Sequence, residues 1–476
     1  MTPSLRHRWV IPWLMACALF METLDVTIIS TVLPEIAQDL HVTAVSLKLA
    51  LTAYLLSLAV FIPISGWMAE RFGARRVFAS AIAIFTLGSA LCGAASSLPW
   101  LVVARLIQGL GGAMMLPVSR LILMRSFPKA DFVRVTNYAT VPALLGPALG
   151  PLVGGIIATH TTWRWVFYVN LPFGAIGLAL TLRYLPRLQT PSTRTLDRRG
   201  FVLFGLGLAG LSFGFESIGE SYLTVVQQLL LLGLAAACMA WYVHHAARCA
   251  QPFLRLQLLD VSTFRVTLVG SLLGRLGIGG VPFLLPLMFQ LGMHMSPLRS
   301  GALVMPIAAA MILMKFFVKP ILTRWGFRRV LLLNTLLLGA SIAQFALIDA
   351  SSAPWSMVAV AFCYGLLASL QFSCMNVLTF VDIKAKEMGD AASISSTVQQ
   401  FATSLGVAVS ALALGLFTPA GQEAGLLGAF HHAFVCVGVI TMLSSYTFAS
   451  LRPDAGSEAS GHRASRSARV AGSFAH

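Results

Sequence analysis

Three ionisable residues stand where ionisable residues are costly. Glu22 and Asp25 interrupt an apolar run that begins at Trp9, and Arg105 interrupts another. Three positions apart on a helix, the two acids share a face about one turn from each other. A charge at the centre of a membrane helix costs about 2.5 to 3.5 kcal/mol, so such groups face a cavity and pair with one another. Asp25 with Arg105 is the expected pair. Two neighbouring carboxylates in a low dielectric do not readily both ionise, which lets the pair hold an exchangeable proton. Either Glu22 or Asp25 could then be the proton carrier, with Arg105 as the partner; the competing reading of Asp25 is a fixed ion pair that never titrates.

Arg275 is a fourth such charge. It either faces the cavity and contacts an anionic substrate or snorkels to an interface. Tyr54, Gln108, Gln371, Asn376, Gln399 and Gln400 are polar residues in otherwise apolar stretches and are candidates for the substrate path. The alternative for each is an interhelical hydrogen bond, worth about 0.6 kcal/mol. His244, His245, His431 and His432 lie near the ends of apolar stretches, where solvated side chains are expected.

The elements that must position these residues are membrane helices. Of 476 residues, 57% are hydrophobic and 11% charged, with mean hydropathy +0.82. That leaves too few charges to solvate a globular surface. Fourteen apolar stretches of roughly 20 residues are legible, each long enough to cross about 30 Å of hydrocarbon. They run from 9–32 and 47–67 to 394–417 and 428–450. The predicted fold class is therefore all-α integral membrane. The net charge of +16 does not form one basic face but sits in short clusters between the apolar stretches, which argues against nucleic acid and for membrane lipid as a partner. With the N-terminus cytoplasmic, 28 cationic residues fall on the inner side and only Lys48, Arg164 and Arg299 on the outer. The positive-inside rule thus predicts both termini in the cytoplasm. Arg6, His7 and Arg8 ahead of an apolar run resemble a signal peptide, but without a small-residue cleavage site the run reads as an uncleaved first spanner. Seven singly spaced cysteines suggest neither a disulfide framework nor a metal site.

Internal repetition gives the domain plan. Gly66-Trp-Met-Ala-Glu-Arg-Phe-Gly-Ala-Arg-Arg-Val77 recurs as Lys319-Pro-Ile-Leu-Thr-Arg-Trp-Gly-Phe-Arg-Arg-Val330, and Leu33-Pro-Glu-Ile-Ala-Gln38 is echoed by Leu285-Pro-Leu-Met-Phe-Gln290. This predicts a six-helix half over 1–199, two inserted helices over 200–245, a second six-helix half over 246–451, and a basic, disordered cytoplasmic tail over 452–476.

The motif Gly66-x-x-x-Glu70-Arg71-x-Gly73-x-Arg75-Arg76 resembles the signature between spanners two and three of the major facilitator superfamily, with Glu70 in place of the usual Asp. The resemblance implies that these residues lock a cytoplasmic gate; the alternative is a basic turn that only sets topology. Leu24-Asp25-Val26-Thr27 with Leu33-Pro34 resembles the first spanner of the fourteen-spanner drug:proton antiporter branch of the EmrB/QacA type. Gly146-x-x-x-Gly150-Pro151-x-x-Gly154-Gly155 resembles the motif associated with antiporters, in which small residues let helices approach closely. Trp163-Arg164-Trp165-x-Phe167 with Asn170-x-Pro172, and Gly111-Gly-Ala-Met-Met-Leu-Pro-Val118, extend the similarity to MdtD-type transporters. Together they imply a secondary transporter, a monomer, exporting a small molecule in exchange for protons by alternating access. Cargo could instead be a specific metabolite, an organic acid or an iron chelate, and a transporter-like ligand receptor is the non-transport alternative. No G-x-x-x-x-G-K-[ST] loop is present to bind ATP, and no catalytic triad or cofactor motif suggests an enzyme or a cofactor.

Overall fold

The computed structural model describes residues 10–127, 145–146, 149–185, 195–218, 223–384, 387–418 and 425–457. Most of the 186–199 segment, the tail from 458, and Arg6, Arg8, Lys129, Arg134, Arg187, Arg194, Lys386, Arg463, Arg466 and Arg469 lie outside them, as do the side chains of Arg120 and Arg125.

Every regular element among the described residues is helical. The main ones are α1 (Val10–Ile28), α2 (Lys48–Phe61), α3 (Ala74–Gly93), α4 (Leu98–Ser126), α5 (Leu149–His160), α6 (Asn170–Tyr184), α7 (Arg198–Glu216), α8 (Val225–Arg248), α9 (Ser262–Ile278), α10 (Pro297–Ala343), α11 (Pro354–Phe380), α12 (Met388–Phe417) and α13 (Leu426–Leu443). Twelve helical stretches are long and apolar enough to span a membrane. One of them, Pro297–Leu347, holds two spanners joined at Gly326, where the backbone leaves helical angles (φ 71°, ψ 163°). The shorter α5 is the described part of another, so the fourteen-spanner reading stands.

Local sequence explains the helix starts. Proline in the first turn of α4 and α11 occupies a position whose N–H has no helical acceptor. Thr224 and Gln227 form a reciprocal capping box at α8. Asp197 caps α7 through Gly200 N (2.9 Å) and also accepts from His245 Nε2 at 2.9 Å and Phe253 N at 3.2 Å, fastening the foot of α8 to that of α7. Burial opposes its charge, but these hydrogen bonds prevail and hold the Asp197 carboxyl below its usual range. The outward residues of α8 (Val225, Val226, Leu229, Leu230, Leu234, Trp241) are exposed and apolar, as a lipid-facing helix requires.

The repeat in sequence is a repeat in backbone. Gly73 (φ 90°) and Gly326 (φ 71°) make the same positive-φ break in the two loop motifs, a conformation that favours glycine. After each break the matching arginine reaches the last helix of its own half: Arg75 donates to Leu182 O, and Arg328 to Ala449 O at 3.0 Å. His41 and His294, the two non-glycine residues with positive φ among those described, both have φ 54°. These pairs are 253 residues apart, whereas Pro34 and Pro286, like Gln38 and Gln290, are 252 apart. The extra residue falls where Met288–Gly292 forms a turn of π-helix, the usual way for a helix to absorb one.

Two compact units emerge. The first comprises Met1–Leu254 with Pro282–Met305, and the second Arg255–Val281 with Pro306–His476. The inserted pair α7 and α8 belongs to the first, with α7 packed on α2 through Phe61 and Phe201 (centroids 5.8 Å apart). Two charges differ from their expected loop positions. Lys48 opens α2 and is buried, and Lys315 lies within α10, donating from there to Ser373 Oγ at 2.9 Å. Both were read as loop residues because they flank apolar runs.

Candidate functional site

In the first unit a buried polar cluster joins five helices. Asp25 on α1 accepts from Arg105 Nη1 on α4 at 2.5 Å, from Gln108 Nε2 at 2.8 Å and from Asn170 Nδ2 on α6 at 3.0 Å. Arg105 also donates to Gln108 Oε1 at 2.8 Å and to Ala50 O of α2 at 3.3 Å, and its guanidinium lies 4.3 Å from the Tyr54 ring centroid. Ser89 on α3 closes the network: Asn170 donates to its Oγ at 3.0 Å, and it donates to Phe167 O at 2.9 Å. All these side chains are buried to within 1% of full enclosure. Hydrogen bonds from charged groups are the strong ones, and this carboxylate receives one from a cation and two from amides. Glu22, one turn earlier on α1, is only partly buried. The Tyr54 hydroxyl is itself buried with no hydrogen-bond partner among the described residues.

The helix carrying the acids is gripped by the glycines of α5 and its approach. A Cβ at Gly146 would come within 2.2 Å of Thr23 Oγ1, at Gly150 within 2.1 Å of Thr27 Oγ1, and at Gly154 within 2.2 Å of Thr31 Oγ1. Thr23, Thr27 and Thr31 form an i, i+4, i+8 stripe on the opposite face, so the glycine motif is one side of a zipper whose other side is threonine. Thr27 also donates to Gly146 O at 3.3 Å. Across α5, Gly155 abuts Pro297 O and Gly301 abuts Pro151 O, where an added Cβ would sit at 2.6 and 2.1 Å. Gln290 Nε2 reaches Thr31 O at 2.9 Å, so the Pro282–Met305 segment is tied to the end of the same stripe.

Of the loop motif, Gly66 and Arg71 are exposed and Glu70 and Arg75 partly buried, while Arg76 is exposed. A Cβ at Gly66 would meet nothing within 4 Å, in contrast to the α5 glycines. At the ends of α1 and α6, Asp39 accepts from Arg164 at 2.8 Å and from Trp163 Nε1 at 3.1 Å. The Arg164 hydrogen bond, then that of Trp163, holds the Asp39 carboxyl below its usual range.

The second unit places the remaining polar candidates differently. Arg275 on α9 donates to Gln399 Oε1 at 2.8 Å, Ser271 Oγ at 3.3 Å and Thr403 Oγ1 at 3.5 Å, and stacks 4.6 Å from the Phe372 ring centroid. Gln399 is held in turn by donating to Ser395 Oγ at 2.9 Å. Gln371 does not line an open path: it is buried, accepting from Asn334 at 2.9 Å and donating to Thr335 Oγ1 at 2.9 Å, a bond between helices. Asn376 is exposed and Gln400 half-buried. Gln108 likewise leaves the substrate-path group, because its amide joins Asp25 to Arg105. Asn170 stands in the sequence only as part of the Asn170-x-Pro172 motif and Ser89 not at all; an asparagine with apolar residues on both sides is the signal for a place in the cluster. Glu216, buried on α7 and accepting from Ser212 Oγ at 3.1 Å, is another intramembrane acid.

The pattern of the Major Facilitator Superfamily matches residues 15–407. A putative multidrug resistance protein MdtD of Pectobacterium atrosepticum is 36% identical over 460 residues, covering 95% of this chain and 98% of that one. A probable transport protein HsrA of Haemophilus influenzae is 37% identical over 438 residues, covering 92% and 91%. Among solved structures, a D-xylose-proton symporter superposes with TM-score 0.66 at 14% identity, covering 92% of this chain and 97% of that one. The nucleoside transporter NupG superposes with TM-score 0.59 at 14% identity, covering 92% and 98%. The chain belongs to the major facilitator superfamily, a family of membrane transporters rather than enzymes.

Proposed function

We propose that this major facilitator superfamily transporter is a proton-coupled antiporter that exports small molecules of the multidrug type by alternating access. The observation that carries the coupling is Asp25, buried and bonded to Arg105, Gln108 and Asn170, with partly buried Glu22 one turn away on the same helix. Proton binding to this acid pair changes what Arg105 and the two amides hold, and those groups belong to α4 and α6. One titration thereby acts on three helices. A proton returning through about 100 mV supplies about 2.3 kcal/mol, equivalent to a roughly 50-fold substrate gradient. The names of the MdtD relatives support multidrug cargo. In this reading the protein works as a monomer in a bacterial inner membrane with both termini cytoplasmic, and Gly66, Glu70, Arg71, Gly73, Arg75 and Arg76 serve the cytoplasmic gate.

The test is substrate-driven proton movement in proteoliposomes. Asp25→Asn removes the titrating proton while keeping size and hydrogen bonding, and should abolish coupling. Glu22→Gln leaves the Asp25 to Arg105 pair intact: a shifted pH dependence identifies Asp25 as the carrier, and lost coupling identifies Glu22. Full coupling in a folded Asp25→Asn, Glu22→Gln double variant overturns the mechanism.

A further inference from the structure

We infer that the second unit of this transporter holds a site for the carboxylate group of a small organic anion, built on Arg275. This inference deepens the export reading and rests on it for the ligand being cargo.

Charge accounting comes first. Among their described residues the spanning helices of this unit carry one acid, Asp390 in the first turn of α12, which pairs with Arg255 at 3.1 Å and stands nine positions before Gln399. Arg275 nevertheless sits inside the 31-residue apolar stretch Ser262–Gly292, in the last turn of α9, about 20 Å along the stretch from its start and about 25 Å from its end. Its side chain is far too short to snorkel over that distance. All its hydrogen-bond partners are neutral: Gln399, Ser271 and Thr403. Arg105 in the first unit carries its own carboxylate at 2.5 Å. A cation inside an apolar stretch that is held by neutral groups alone, with the one acid of these spans paired to Arg255, is a site whose counter-charge is supplied by the ligand.

Geometry gives the class of ligand. Guanidinium carries five N–H groups. The three hydrogen bonds engage Nε, Nη1 and Nη2 once each, so each terminal nitrogen keeps one N–H. N–H donors on a delocalised cation match the oxygens of a carboxylate. Gln399, braced by Ser395, and the face of Phe372 fix the plane of that cation. A phospholipid headgroup offers similar oxyanion chemistry, but it resides at the interface rather than inside an apolar stretch.

The experiment is calorimetric binding to purified protein in phosphatidylcholine nanodiscs, with acetate, succinate and tricarballylate as probes and tetraphenylphosphonium as the cationic comparison. Saturable carboxylate binding is expected, weakened at least tenfold in Arg275→Gln and partly kept in Arg275→Lys, which retains charge but not the guanidinium. Thermal melting verifies that each variant is folded. Carboxylate affinity that is unchanged in folded Arg275→Gln, or absent from the wild type, overturns the site. Adding phosphatidylglycerol to the discs separates the sources. If that lipid alone produces an Arg275-dependent signal and no soluble carboxylate does, the oxyanion is a headgroup and the cargo inference fails. Binding and proton coupling are measured separately on the wild type and on Arg275→Gln, so coupling without carboxylate binding overturns this site alone, and carboxylate binding without coupling overturns the antiport reading alone.

Discussion

The two arginines inside apolar stretches, Arg105 and Arg275, are accommodated in opposite ways. Arg105 is enclosed with its own carboxylate, two amides and an aromatic face, whereas Arg275 is held by an amide, two hydroxyls and an aromatic face and bonds no acid. Similar chemistry thus serves a closed circuit in one unit and an open one in the other. An internally neutral pair responds to protons, while an uncompensated cation responds to anions.

The largest effect that could break this contrast is on stability. Arg105→Gln strands the Asp25 carboxylate in a buried cluster and should cost about 3–5 kcal/mol, because removing one partner of a buried pair leaves an uncompensated charge. Arg275→Gln removes bonds to neutral partners only and should cost about 1 kcal/mol or less. Thermal melting of both variants in one detergent compares them directly, and equal losses would show that Arg275 is as internally compensated as Arg105.

Close packing sharpens the comparison at a smaller scale. In the second unit a Cβ on Gly365 would sit 2.4 Å from the Ile307 carbonyl, a backbone atom that yields little. In the first, Gly150 first meets the hydroxyl of Thr27 at 2.1 Å, and a side chain can rotate. Gly365→Ala should therefore cost toward the upper end of about 1–3 kcal/mol and Gly150→Ala toward the lower, with part of the latter recovered by Thr27→Ser. Gly66→Ala, with nothing in reach, should leave the melting temperature unchanged. Recovery by Thr27→Ser is the discriminating reading, since a clash with fixed backbone would not respond to it.

The smallest effect concerns acid. Asp39 links α6 to the segment after α1 through Arg164 and Trp163, whereas Asp349 bonds only Ser351 and Ser352 of its own turn. Both carboxyls are held below their usual value, so each contributes stability that is present above the unfolded value near about 3.9 and is lost as pH falls through the folded one. Asp39→Asn should flatten the acid limb of melting temperature against pH by at most about 1 kcal/mol, as befits an exposed pair. Asp349→Asn should alter it less, because its bonds tie no separate segments. A larger change from Asp349→Asn would reverse that ranking.

The helix count and the Asp25 to Arg105 pair were legible because charges stand out against apolar stretches and pair for a physical reason. Gln108 and Gln371 were indistinguishable in sequence: both are amides in apolar spans, and only the helix opposite decides that one holds Asp25 and the other Asn334. The threonines at 23, 27 and 31 were hidden because threonine in a membrane helix bonds its own backbone wherever it lies, as Thr23 does with Leu19 O and Thr31 with Ile28 O. Lys315 misled because a lysine near the end of an apolar run looks like a loop residue until the helix is seen to continue past it.

The π-helical turn at Met288–Gly292 fixes which residues of the two halves are counterparts. The duplication carries a phase slip of one position there, so a single offset cannot be used along the whole chain. Carried back through the first helix of each half, the offset of 252 that precedes the slip pairs Arg275 with Thr23 and Glu22 with Gly274. Arg275 is therefore not the charge-reversed twin of Glu22 but stands on the strip of helix that the first half gives to the glycines of α5. A residue exchange between the halves must follow this phase, since a step of one position turns a side chain through about 100°.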